Sequence, residues 1–292
     1  MGVNDRVPIA KTYKLFIGGA FPRTESGRSY AVRDERGGVV AHACLGSRKD
    51  LRNAVEAAHS ARAGWAGVDA LLRGQVLYRV AEMAEGKRDE LVGALRAPGG
   101  VSERDAIREV DASIDRLVCY TGWTDKVAQV LGCANPVAGP YHNFTVPEPS
   151  GVVGVVCPDE APLLGLVSLA APVLSAGGVV VALVSGANPV PAMVLAECVA
   201  TGDVPGGAVN ILTGDRDELI EHLAEHREVI GIHAAGTTPA QTRVLRCGAA
   251  ENLKRVTVRE VEGDGWFDRA CQGPGWIEPF LEFKTLWHPS SA

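Results

Sequence analysis

The chain has 292 residues, enough for two domains or one large α/β unit with a sizeable core. An apolar fraction of 46% and a charged fraction of 22% are those of an ordinary globular protein, which excludes a disordered or fibrous chain. With 29 basic and 35 acidic residues the net charge is −6, so neither nucleic acid nor an anionic membrane is an expected partner.

The opening stretch MGVNDRVPIAK has no apolar run and does not read as a secretory signal. Seven widely spaced cysteines contain no C-x-x-C, which points to a reducing, cytoplasmic setting rather than a disulfide framework or a zinc site. The first fifty residues read as hairpins, with Gly18-Gly19 turning KLFIGGAFP and Gly37-Gly38 turning YAVRDERGGVVAHACL. Helical periodicity follows: Leu51, Ala54, Val55 and Ala58, then Val76, Leu77, Val80 and Ala81, then a third helix with Ala106, Ile107, Val110, Ile114, Leu117 and Val118 on one stripe. Residues 131–150 are punctuated by Pro and Gly and read as a connector containing an extended arm.

From 161 to 196 no residue is charged, and LLGLVSLAAPVLSAGGVVVALV has the length of a membrane span. Pro172 and Gly177-Gly178 break that run into a helix-like half and a β-branched strand, so a buried α/β unit is the expected structure and no membrane span is. Five apolar strands (GVVGVV, GVVVALV, GAVNIL, EVIGIH and LKRVTV) alternate with helices over 151–260, the pattern of a Rossmann-like doubly wound parallel sheet. Residues 261–280 lack periodicity and read as a linker, and LEFKTLW in 281–292 reads as a strand with Leu281, Phe283 and Trp287 on one face. The expected organisation is therefore 1–130 hairpins and helices, 131–150 arm, 151–260 parallel sheet, 261–280 linker and 281–292 terminal strand.

KLFIGGAF, EPSGVVGVV, LAAPVLSAGGVVVAL, VPGGAVNILTG, NLKRVTV and LEFKTLW together resemble the NAD-dependent aldehyde dehydrogenase superfamily, over most of 14–255 and again from Leu281. In that family a catalytic domain carrying the cysteine nucleophile separates the nucleotide-binding sheet from the tail. Here only 22 residues, 259–280, lie between them, too few for a compact unit. The resemblance also implies lost chemistry. The asparagine of P-W-N-F-P matches Glu160, which repels an oxyanion, and the glutamate base matches Arg259, which accepts no proton. The lysine and glutamate that hold the adenosine ribose match Leu183 and Gly186. Gly236, Thr237 and Thr238 remain as a vestige of the phosphate turn, at which NAD is expected weakly or not at all.

Other motifs carry blander readings. His222 and His226 in H-x-x-E-H have zinc-ligand spacing but no third ligand, so no metal is expected. Cys157 is expected to be a buried structural thiol, Cys271 an exposed or partner-covered one, and Asp159-Glu160 a helix cap with a first-turn acid. No catalytic residue is assigned. The resemblance extends to the second half of fused double aldehyde dehydrogenases. It implies an inactive structural or regulatory subunit, associating through the 140–147 connector and Leu281, Phe283 and Trp287 with itself or with a full-length aldehyde dehydrogenase. The alternatives are an oxidoreductase with an atypical NAD(P) site, and a nucleotide or anion sensor.

Overall fold

The computed structural model describes residues 9–290; residues 1–8, on which the absence of a signal was read, and 291–292 of the terminal unit lie outside them. β1 (Thr12–Tyr13) pairs parallel with β3 (Val39–Cys44), which pairs antiparallel with β2 (Ser29–Arg33) across the Gly37-Gly38 turn. The Gly18-Gly19 turn closes a short hairpin, in which Ile17 N donates to Ala20 O at 3.0 Å and Ala20 N to Ile17 O at 3.1 Å. Phe16 also bridges to Ile211, joining this hairpin to the edge of the main sheet.

Four longer helices follow: α1 (Arg48–Ala66), α2 (Ala70–Gly86), α3 (Arg88–Arg96) and α4 (Glu103–Thr121). Three correspond to the sequence stripes, while α3, with only Leu91, Ala94 and Leu95 buried, has too short a stripe to stand out. A capping box fixes the start of α1: Ser47 Oγ accepts from Asp50 N, and the Asp50 carboxylate accepts from Ser47 N at 2.8 Å. After α5 (Val127–Leu131), β4 (Cys133–Asn135) and β5 (Tyr141–Pro149) form an antiparallel hairpin.

The sheet proper contains β6 (Val152–Val156), β7 (Val179–Leu183), β8 (Val209–Leu212), β9 (Val229–Ala235) and β10 (Arg255–Arg259), all parallel, in the order β10-β9-β6-β7-β8. The crossovers are α6 (Leu164–Ser175), α7 (Val190–Thr201), α8 (Arg216–Glu225) and α9 (Pro239–Ala250). Helices α1, α8 and α9 pack on one face, and α6 and α7 on the other beneath an outer layer of α2, α3 and α4. β6 and β7 are buried at every position, as continuous Val-rich runs require of central parallel strands. The uncharged run thus folds as α6 and β7, and no helix of the described residues is long and apolar enough to cross a membrane.

Residues 260–280 are not an open linker. Short 3-10 turns at Gly263–Phe267, Arg269–Cys271 and Glu278–Phe280, with α10 (Pro274–Ile277), bury Trp266, Cys271, Trp276, Ile277 and Phe280 against α6 and the β9–β10 side of the sheet. Each large apolar side chain so buried contributes about 1.5–3 kcal/mol, which is why a segment without periodicity still packs. The chain then runs into β11 (Leu281–Pro289), antiparallel to β5, giving a second sheet in the order β11-β5-β4 with β11 at its edge.

Candidate functional site

Ligands of doubly wound sheets bind beyond the carboxyl ends of the strands, where the strand order reverses. Here that point lies between β6 and β9, and a cleft of about 840 Å³ opens there, lined by Pro158, Glu160, Thr237, Arg246 and Arg259 among others. Gly236 leaves β9 with φ +60°, and a Cβ there would stand 2.8 Å from Pro158 Cα, so only glycine lets the exits of β6 and β9 meet. Thr238 caps α9: its Oγ1 accepts from Gln241 N at 3.2 Å, and Gln241 Oε1 accepts from Thr238 N at 3.0 Å. Pro239 has no N–H to offer, and Thr237 Oγ1 pairs with Thr242 Oγ1 at 2.8 Å. The Thr238 amide of the turn, and the Gln241 amide in the first turn of α9, therefore already have internal acceptors.

Asp159 does not cap the following helix, because α6 begins only at Leu164. Its Oδ1 accepts from Ser185 Oγ at 2.7 Å and from Gly186 N at 3.1 Å, and pairs with Arg216 Nη2 at 3.2 Å. The capping role belongs to Glu109 of α4, whose Oε1 accepts from Leu163 N at 2.9 Å and Leu164 N at 3.1 Å; burial raises its carboxyl pKa, opposed by those two amides. On the other side of the cleft, Gln241 Nε2 donates to Asp217 Oδ1 at 2.7 Å, tying the first turn of α9 to that of α8. The positions that the resemblance matches to cofactor contacts carry different groups here. Leu183 is buried and has no polar side-chain atom, the Gly186 amide is taken by Asp159, and the cleft is lined by acidic Glu160 together with Arg243, Arg246 and Arg259.

Glu160 and Arg259, the positions matched to the family's oxyanion donor and base, both hold 260–280. Trp266 Nε1 and Gly263 N donate to the Glu160 carboxylate at 3.1 and 3.3 Å, so Glu160 is not a first-turn helix acid either. Arg259 stacks on Trp276 at 4.3 Å from the ring centroid, and donates to Gly275 O at 3.2 Å and to His233 Nε2 at 2.9 Å. His233 Nδ1 lies 2.9 Å from Leu169 O; a carbonyl only accepts and a guanidinium only donates, so the imidazole is the neutral Nδ1–H tautomer. Complete burial, with the Arg259 charge beside it, brings the His233 pKa down to about 3. Arg116 of α4 completes the grip, donating to Ser168 Oγ and, at 2.8 Å, to Trp266 O.

Cys157 is buried, and burial above all, with Asp159 adding to it and Arg216 opposing, pushes its thiol up to about 12; it is inert. Cys271 is buried by its own segment, with Sγ donating to Gly265 O at 3.2 Å, and is neither exposed nor dependent on a partner for cover. His226 falls just beyond α8 in extended conformation, so it does not share a helix face with His222, and its Nδ1 accepts from Glu228 N at 3.3 Å. Among the described residues no group of three or more His, Cys, Asp or Glu is placed to hold a metal.

The terminal strand pairs with β5 in register Leu281↔Pro149 to Pro289↔Tyr141. Leu281, Phe283 and Trp287 share a face as expected, but Leu281 is only 2% exposed and anchors the strand in the core, while Phe283 is 45% and Trp287 60% exposed. Between them Thr285 Oγ1 pairs with Thr145 Oγ1 at 2.9 Å, and Trp287 meets Tyr141 edge-on at 5.8 Å. Leu286, on the opposite face, adds a further exposed apolar side chain.

Residues 23–264 match the model of the aldehyde dehydrogenase family. The chain is 31% identical over 261 residues to mouse cytosolic 10-formyltetrahydrofolate dehydrogenase, covering 87% of this chain and 29% of that protein. It is 32% identical over 257 residues to the mitochondrial benzaldehyde dehydrogenase of Antirrhinum majus, covering 86% and 47%. It therefore spans less than half the length of either. Among solved structures, the NAD+ complex of an aldehyde dehydrogenase from Bacillus cereus superposes with a TM-score of 0.80 at 27% identity, covering 85% of this chain and 50% of that one.

Proposed function

Because the chain belongs to the aldehyde dehydrogenase family, we propose that it serves as a catalytically silent structural or regulatory subunit. It associates through the β4-β5-β11 sheet with a second copy of itself or with a full-length aldehyde dehydrogenase. One observation carries this reading: β11 is an edge strand, exposed from Glu282 onward, that presents Phe283, Leu286 and Trp287 to solvent. An unpaired edge beside exposed aromatic and aliphatic side chains favours strand addition or a covering partner. Silence is supported by Glu160 and Arg259, whose functional groups are engaged with 260–280. Any affinity for NAD is weak.

Light scattering on a size-exclusion column tests the association, with Trp287→Asp as the variant. The unsubstituted chain, alone or mixed with a full-length aldehyde dehydrogenase, is expected to run above its monomer mass. Trp287→Asp is expected to run as a folded monomer, and neither protein is expected to reduce NAD or NADP with aliphatic or aromatic aldehydes. A chain that is monomeric at tens of micromolar and ignores the full-length enzyme, or one that oxidises aldehydes, contradicts the proposal.

A further inference from the structure

Two histidines far apart in sequence meet across the second sheet. β5 and β11 pair antiparallel with His142 opposite His288, and both side chains are exposed. Two residues further on, Ser290 N donates to Pro140 O at 2.8 Å. By the alternation of an antiparallel ladder, His142 and His288 are therefore a hydrogen-bonded row, with Cα atoms about 5.5 Å apart and side chains on the same face. The row is braced on both faces. On the histidine face the His142 ring lies 5.3 Å from that of Phe144, which stands opposite Leu286; on the other face Trp287 meets Tyr141 edge-on between the same two strands. The carboxylates these two strands place on the histidine face, Glu148 and Glu282, lie six residues away and pair with Lys284 and Arg255. His222 and His226, by contrast, have ligand spacing in sequence but do not share a helix face.

We propose that His142 and His288 chelate a late first-row divalent ion of the Cu2+ and Ni2+ type, stapling the terminal strand to β5. Two imidazoles on neighbouring corners, with water at the rest, suit the tetragonal preference of those ions. Structural zinc takes four protein ligands, and Ca2+ or Mg2+ takes oxygens; this face offers neither. Metal–nitrogen bonds of about 2.0–2.1 Å bring the two ring nitrogens to about 3 Å from each other, which imidazoles rooted about 5.5 Å apart reach by leaning together. Once one ring holds the ion, the second binds it from within the same chain at a high effective concentration, so the site needs no cavity. This goes beyond the subunit reading, which rests on Phe283, Leu286 and Trp287 and uses neither histidine.

Titration of the full, untagged chain with Cu2+ alone, followed by calorimetry and electron paramagnetic resonance, tests the site. The unsubstituted chain is expected to bind Cu2+ at least about tenfold more tightly than His142→Ala or His288→Ala. The double variant is expected to bind no more weakly than either single one, because losing one imidazole already ends chelation. The resonance spectrum is expected to show two coordinating nitrogens in the unsubstituted chain and to lose that pattern in each variant. Both side chains are exposed, so the alanine variants are expected to fold, which circular dichroism checks. Thr285→His added to His288→Ala restores the number of histidines on the opposite face of β11, and is expected to restore nothing. Equal affinities in the unsubstituted chain and the single variants, or tight binding regained through Thr285→His, overturn the site. An affinity that rises with protein concentration places the two ligands in different chains and overturns it as well, which separates a failure here from a failure of the association.

Discussion

Residues 260–280 bury Trp266, Trp276, Ile277 and Phe280, whereas β11, which follows directly, is exposed at every position after Leu281. The first segment has no hydrophobic period and is gripped by side chains from distant parts of the chain: Arg116, Glu160, Arg259 and, through Arg259, His233. The second alternates from Leu281 to Lys284 and is held chiefly by its backbone ladder to β5. Periodicity therefore reports secondary structure and not burial. What buries a segment is whether the rest of the fold supplies apolar surface and partners for its polar atoms.

Two tryptophans in adjoining segments separate these environments. Trp276→Ala removes a ring that is 5% exposed and stacked beneath Arg259, and is expected to cost about 3–5 kcal/mol in chemical denaturation. Equal denaturation midpoints for Trp276→Ala and the unsubstituted protein would show that 260–280 is not part of the core.

A smaller effect is expected from pH, through the fully buried His233. Above pH 6.5 the imidazole is neutral whether folded or unfolded, and contributes no slope. Below 6.5 the unfolded chain takes up a proton that the folded chain refuses until about pH 3, so stability falls as pH falls across that window. Between neutral pH and about pH 5 the loss attributable to this one group is about 2 kcal/mol, measured as the difference in urea stability between the unsubstituted protein and His233→Asn. Parallel pH profiles for the two would contradict the assignment. The smallest effect belongs to the second tryptophan: Trp287→Ala is expected to change monomer stability by less than about 0.5 kcal/mol while weakening association.

The parallel sheet was legible because β6 and β7 are Val-rich apolar runs, β8 is apolar but for Asn210, and α6 to α9 follow the strands at the expected places. The crevice was legible only in part. Gly236 and Thr238 announce a strand–turn–helix joint, but nothing local marks Arg216, whose partners Cys157 and Asp159 lie over fifty residues away. Glu109 and Arg116 were hidden for the same reason: they lie buried on α4 beside its apolar stripe, and their charge reads as solvent-facing until the partners at Leu163, Ser168 and Trp266 are in place. Asp159-Glu160 resembles a cap in sequence because acids are favoured there, yet α6 starts later and Glu109 reaches its amides first. Leu281 was read with Phe283 and Trp287 from the two-residue period, which correctly assigns a face and says nothing of where along the strand the core ends.

Hydrogen–deuterium exchange followed by mass spectrometry, run at several protein concentrations, measures both segments at once. If 260–280 is core and β11 is an open edge awaiting a partner, peptides from 263–280 exchange slowly at every concentration. Peptides covering 281–289 then gain protection as concentration rises or as a full-length aldehyde dehydrogenase is added, because half of the β11 amides point away from β5 until something pairs with them. Fast exchange across 263–280, or protection of 281–289 that ignores both concentration and partner, contradicts that division.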